Sequence, residues 1–160
     1  MKPTVYIETT IVGHLTSRLP SNVTVMGQML DTRKWWNDSR QDFELVISEL
    51  VQQEITQGDP TAAAERLAAI EGIRPVPILD PARLLANALV AKHGLPEKAR
   101  VDALHLAICA TNDVSYLLTW NCRHLANATR QKTIAEICTQ AGYTAPVICT
   151  PTQLTELENG

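Results

Sequence analysis

Apolar residues along this chain alternate between short compact runs and longer stretches of helical spacing, the pattern of strands that feed helices. The first run, residues 4–7, favours extended structure and is closed by Glu8, after which Thr9 and Thr10 can cap a turn into helix. Residues 22–42 carry the period of an amphipathic helix, with Val25, Met29, Leu30, Trp35 and Trp36 toward the packing side and Arg33, Lys34 and Arg40 away from it. Residues 44–47 predict a second strand. Ser48 is then an N-cap for SELVQQEITQG, with Glu49 in the favourable first turn and Gly58 beyond the end. Leu50, Val51, Glu54 and Ile55 share one face of that helix.

Asp59 and Pro60 restart a helix as cap and first residue, and Gly72 ends it. Pro75 and Pro77 restrict any strand in residues 73–79 to a short one at a sheet edge. Asp80 and Pro81 repeat the cap-and-proline signal for a helix through Lys92, stopped at Gly94. The helix of residues 96–110 is apolar on nearly every side from Ala103 onward, which predicts burial; Asp102, His105 and Cys109 fall along one of its faces. Residues 114–119 read as a central strand followed by Trp120 and Asn121, residues 129–141 as a helix and residues 147–149 as a last strand. Thr150, Pro151 and Gln153 then match a capping box for a final short helix. Strands joined through helices pair in parallel, so an α/β sandwich with a mainly parallel central sheet of about five strands is expected.

At 160 residues the chain fits one domain, 1–160, able to bury about two thirds of the surface of its unfolded form. No apolar run reaches the roughly eighteen residues of a membrane span, and MKPTVYIETT lacks the pattern of a signal peptide, so a cytoplasmic location is expected. Cys109, Cys122, Cys138 and Cys149 form no CxxC pair and read as small buried hydrophobes in a reducing compartment, not as a zinc site or disulfide framework. The net charge of −3 argues against a protein that coats nucleic acid, but leaves room for an acidic cluster that holds divalent cations. There is no GxGxxG and no GxxxxGK[ST], hence no phosphate cradle.

In parallel α/β sheets ligands gather outside the carboxyl ends of the strands. Glu8 and Asn121 stand at two such ends, Glu54 in the second turn of the helix after another strand, and Asp102 on a helix leading into a fourth. Each has a plainer reading: Glu8 as a cap, Glu54 as a solvated helix residue, Asp102 paired with Arg100, Asn121 as a turn residue. His105 reads as a core hydrogen-bonding group more than as a metal ligand, Glu49 as a reserve acid, and Arg18, Arg123 and Arg130 as candidate phosphate contacts.

Four stretches carry a family resemblance. YIETTI is similar to the first-strand signature of PIN-domain ribonucleases, whose acid is usually Asp followed by Thr or Ser; ISELVQQEI resembles the serine-led helix bearing their second acid, and VDALHLA the helix bearing their third. LLTWNCRHLAN resembles their fourth-strand ending. The match runs in order over nearly the whole chain and looks most like the VapC-like toxins of bacterial toxin–antitoxin pairs. The resemblance implies a PIN-like three-layer α/β/α sandwich and a metal-dependent endoribonuclease. In that reading Mg²⁺ or Mn²⁺ is held by Glu8, Glu54 and Asp102, with Asn121 as a weaker oxygen donor and Thr10 and Thr119 orienting waters or phosphate oxygens. It also implies an RNA substrate, a small antitoxin partner and a homodimer. Glu8 in place of Asp, and Asn121 in place of an acid, point to weak or conditional activity, or to an impaired PIN-like module that binds RNA or protein.

Overall fold

The computed structural model describes residues 1–159, with side chains through residue 158. Strand β1 (Thr4–Ile7) is followed by helices α1 (Thr9–Thr16) and α2 (Val23–Asp38), strand β2 (Glu44–Ser48), helices α3 (Glu49–Ile55) and α4 (Pro60–Ala69), and strand β3 (Arg74–Val76). Helices α5 (Asp80–Ala91) and α6 (Arg100–Thr111) lead to β4 (Tyr116–Leu118), α7 (Gln131–Gln140), β5 (Val147–Cys149) and α8 (Pro151–Asn159). The five strands pair in the order β3-β2-β1-β4-β5, every neighbour parallel. Val5, Tyr6 and Ile7 of the central β1 are all fully buried, as a strand covered on both faces requires.

Strand order and handedness together place the helices. From β1 the chain steps outward through β2 to β3, then returns past β1 to β4 and β5. Right-handed crossovers therefore put α1–α4 on one face and α5–α7 on the other. The packing follows: α1 meets α2, α3 and α4, and α8 lies on α2, whereas α5 packs on α6 and α7. The result is the expected three-layer α/β/α sandwich. Because the chain leaves β1 in one direction and β4 in the other, the crevice between their carboxyl ends is the topological switch point of the sheet, where such folds bind ligands.

The apolar α6 is buried from Ala103 to Ala110 except at the partly buried Leu104, because it is sandwiched between α5 and the sheet. The final capping box forms reciprocally: Thr150 N donates to Gln153 Oε1 at 3.0 Å, and Gln153 N to Thr150 Oγ1 at 3.2 Å. Asp59 caps α4 through Ala62 N.

Several local expectations are corrected. Asp80 lies in the first turn of α5, which has Leu79 at its cap position and no side-chain cap. The helix expected from residue 96 begins as a 3₁₀ turn, Glu97–Ala99, before α6. In α2 the buried face is Met29, Thr32 and Trp35, while Leu30 is exposed; the polar Thr32 is drawn inward because its hydroxyl accepts from Trp120 Nε1 at 2.7 Å and donates to Gln28 O. Cys122 is exposed, since it sits on the loop leaving β4, while the other three cysteines are buried.

After α5 the left-handed turn falls on His93 (φ 62°), and Gly94 is required for closeness instead. A Cβ at Gly94 would lie 2.8 Å from Ile137 Cδ1 and 3.1 Å from Leu89 O. Gly94→Ala should therefore crowd the Leu89 carbonyl and turn the Ile137 side chain aside, lowering stability by about 1–3 kcal/mol, read as a shift of the urea midpoint.

Candidate functional site

Glu8 is both the last link of β1 and the N-cap of α1. Its backbone N–H donates to Leu118 O of β4, and its carboxylate turns back over the helix end, Oε2 accepting from Thr10 N at 3.1 Å. Oε1 accepts from Thr10 Oγ1 at 2.6 Å and from Thr119 Oγ1 at 2.5 Å. The residue is only 4% exposed, so these three donors replace the water it has lost. Each hydroxyl has a second duty: Thr10 Oγ1 accepts from Trp120 N, and Thr119 Oγ1 from Asn121 N, both at 2.9 Å. Thr10 and Thr119, expected to orient waters or phosphate oxygens, are thus turned onto Glu8.

Glu54 rises from α3 beside the start of α1. Its Oε1 accepts from Thr9 Oγ1 at 2.8 Å and from His105 Nε2 at 2.5 Å. His105, 1% exposed on α6, is fixed from its other side by Tyr6, whose hydroxyl lies 2.7 Å from His105 Nδ1 and 2.7 Å from Ser48 Oγ. Ser48 in turn caps α3 through Val51 N. A buried polar line therefore runs from the cap of the helix that carries Glu54, through β1, back to Glu54 itself. Burial alone would raise the Glu54 pKa, but the hydrogen bond and charge of His105, helped by the Thr9 hydroxyl, outweigh it and hold the carboxyl below its ordinary value. A depressed folded-state pKa adds stability that is present above the unfolded value, about 4.3, and is lost as pH falls through the folded value. Unfolding titrations should show part of the acid sensitivity in that window disappearing in Glu54→Gln.

Asp102 sits in the first turn of α6. It does not pair with Arg100, which bonds Glu97 and Asn87 instead. Its Oδ2 accepts from His124 Nδ1 at 3.1 Å, with side-chain exposures of 22% and 15% for the two residues. Asn121 shapes the loop that delivers this imidazole: its Oδ1 accepts from His124 N at 3.0 Å and its carbonyl from Ala126 N at 2.8 Å. Glu49, the reserve acid, is exposed and accepts from Gln53. Arg130 is drawn to the carbonyl of Gly94.

Hydrogen bonds thus lead from Glu8 through Thr119 and Asn121 to His124 and Asp102, while Glu54 bonds Thr9, the residue after Glu8. Each carboxylate is turned to a separate protein donor. Among the described residues, no group of three or more His, Cys, Asp or Glu side chains is placed to hold a metal ion. As arranged, these donors fit a divalent cation poorly: they do not converge as a group of three, Glu8 has both oxygens bonded, and one oxygen each of Glu54 and Asp102 is given to an imidazole.

His124 and Tyr6 escape the sequence reading. His124 lies in an aperiodic loop, where the one clue is its spacing of three from Asn121, the spacing of a side-chain cap. Tyr6 lies in a strand buried on both faces, whose hydrophobicity hides a hydroxyl that faces two polar partners.

No family model matches the chain, and no curated protein matches it. Among solved structures it is similar to VapBC2 from Rickettsia felis bound to a DNA fragment from their promoter. The TM-score is 0.53 at 12% identity, and the alignment covers 92% of this chain and 98% of that one. The likeness is one of fold. It matches the PIN-like three-layer sandwich with its parallel five-stranded sheet. No helix among the described residues is long and apolar enough to cross a membrane.

Proposed function

We propose that this chain is a catalytically impaired PIN-like module that works by binding a protein partner, of the kind an antitoxin provides. One observation carries the first half of that reading: each carboxylate at the switch point has its own protein donor, and no metal-holding group converges among the described residues. The partner is taken to be protein because the chain carries a net charge of −3, unsuited to a phosphate backbone, and because its fold is that of a protein solved as VapBC2.

Purified protein incubated with mixed RNA and Mg²⁺ or Mn²⁺ is expected to leave the RNA intact over hours. The melting temperature should not rise with either metal, since an ion that binds only the folded state would raise it. Metal-dependent cleavage that vanishes in Asp102→Asn and Glu54→Gln would instead establish a metal-dependent endoribonuclease. That second reading is favoured by Glu8 and Asn121 after the carboxyl ends of β1 and β4 and by the hydrogen bonds that tie Asp102 to the loop carrying Asn121. It requires Asp102 to give up its His124 contact before a cation can take that oxygen. For the partner, a small acid-neutralising protein encoded beside this chain should co-purify with it at one-to-one stoichiometry and raise its melting temperature.

A further inference from the structure

Resting on that reading, we infer that His124 is a built-in occupant of the site, its Nδ1–H filling the Asp102 oxygen that a divalent cation would take, so that the loop after β4 keeps the switch point closed to metal. An N–H donor and a hard cation compete for the same oxygen lone pairs, and only one can hold a given lobe. His124 meets Asp102 at 3.1 Å, and the backbone that carries its imidazole is held in place. Its backbone N–H is anchored on Asn121 Oδ1, and Asn121 N is anchored on Thr119 Oγ1, the same hydroxyl that donates to Glu8. Loop, imidazole and the donors on Glu8 therefore form one connected structure.

The two imidazoles differ in how far they can yield. His105 is buried to 1% and held on both nitrogens, so its departure from Glu54 would leave the Tyr6 hydroxyl short of a partner. His124 is partly exposed, stands on a loop and has the longer contact. It is the member of the pair whose removal leaves the core intact. Asn121 then has a role that its amide suits: an acid at this position would add charge beside Asp102, whereas the amide oxygen shapes the turn that carries the imidazole in.

The test uses the full chain and Mn²⁺ alone. Binding is read by the loss of the free-ion electron paramagnetic resonance signal, with thermal melting as a second readout. His124→Ala, and His124→Phe, which keeps a ring but has no N–H, should bind Mn²⁺ at least about tenfold more tightly than the wild type, a change of about 1.4 kcal/mol. Adding Asp102→Asn to either should cancel the gain. Equal affinity in wild type and both His124 variants overturns the inference, as does a gain that survives Asp102→Asn. Tight binding by the wild type itself contradicts the impaired-site reading above, while the ratio between variant and wild type still decides the role of His124.

Discussion

Replacing His105 with alanine is expected to lower the free energy of unfolding by about 3–5 kcal/mol, the largest effect of any single change at the switch point. The side chain is 1% exposed, so its loss leaves a cavity among buried neighbours that include Leu106 and Cys109. It also strips a partner from two polar groups at once. The Tyr6 hydroxyl, in a fully buried strand, keeps only Ser48, and the Glu54 carboxylate keeps only Thr9. Tyr6→Phe should cost less, about 1–3 kcal/mol, because it removes the hydroxyl without opening a large void. Urea unfolding of the two single variants and the double variant distinguishes these contributions. If Tyr6 acts through His105, the double variant should lose markedly less than the sum, since contacting residues are not additive.

Thr119→Val should cost about 2–4 kcal/mol, more than a near-isosteric change in an ordinary core position. Thr119 is fully buried and its hydroxyl works in both directions, donating to Glu8 at 2.5 Å and accepting from Asn121 N at 2.9 Å. Valine fills the space but leaves a nearly buried carboxylate with fewer donors and a backbone N–H without its acceptor. Glu8→Gln in the Thr119→Val background should recover part of the loss, because a neutral amide tolerates the missing donor better than a carboxylate does. Guanidinium or urea midpoints for the pair of single variants and the double variant provide the check, and strict additivity would show that the hydroxyl matters only for the backbone of Asn121.

Much of the fold is legible in the sequence because strand ends and helix starts obey local rules. The cap at Ser48, the cap and proline at Asp59 and Pro60, the prolines that confine β3 to an edge and the box at Thr150 each describe their own few residues, and each forms as expected. The wholly apolar α6 declares its burial in the same way. The parallel sheet then places the carboxyl ends of β1 and β4 side by side, which brings Glu8 and Asn121 near one another without any further information. Cap assignments fail where the local signal is shared, as at Asp80, which enters the first turn while Leu79 takes the cap position.

The donors of the carboxylates are not legible in this way. Whether Glu54 faces a cation, water or an imidazole depends on His105 reaching across from α6, a contact between residues 51 apart in sequence. Asp102 has a basic neighbour at Arg100, the obvious partner in sequence, yet that guanidinium is taken by Glu97 and Asn87 on the outer side of α6. The histidine that does meet Asp102 is supplied by a loop whose shape is set by Asn121 and Thr119. Residue types alone describe an acidic site ready for metal; the tertiary hydrogen bonds describe one whose acids are already engaged.

The most direct test is a crystal of the wild-type chain soaked in Mn²⁺ and measured at the manganese absorption edge. No anomalous peak is expected between the carboxyl ends of β1 and β4, with His105 still on Glu54 and His124 still on Asp102. A manganese ion bound directly by two or more of Glu8, Glu54 and Asp102, with either imidazole displaced, would contradict that expectation.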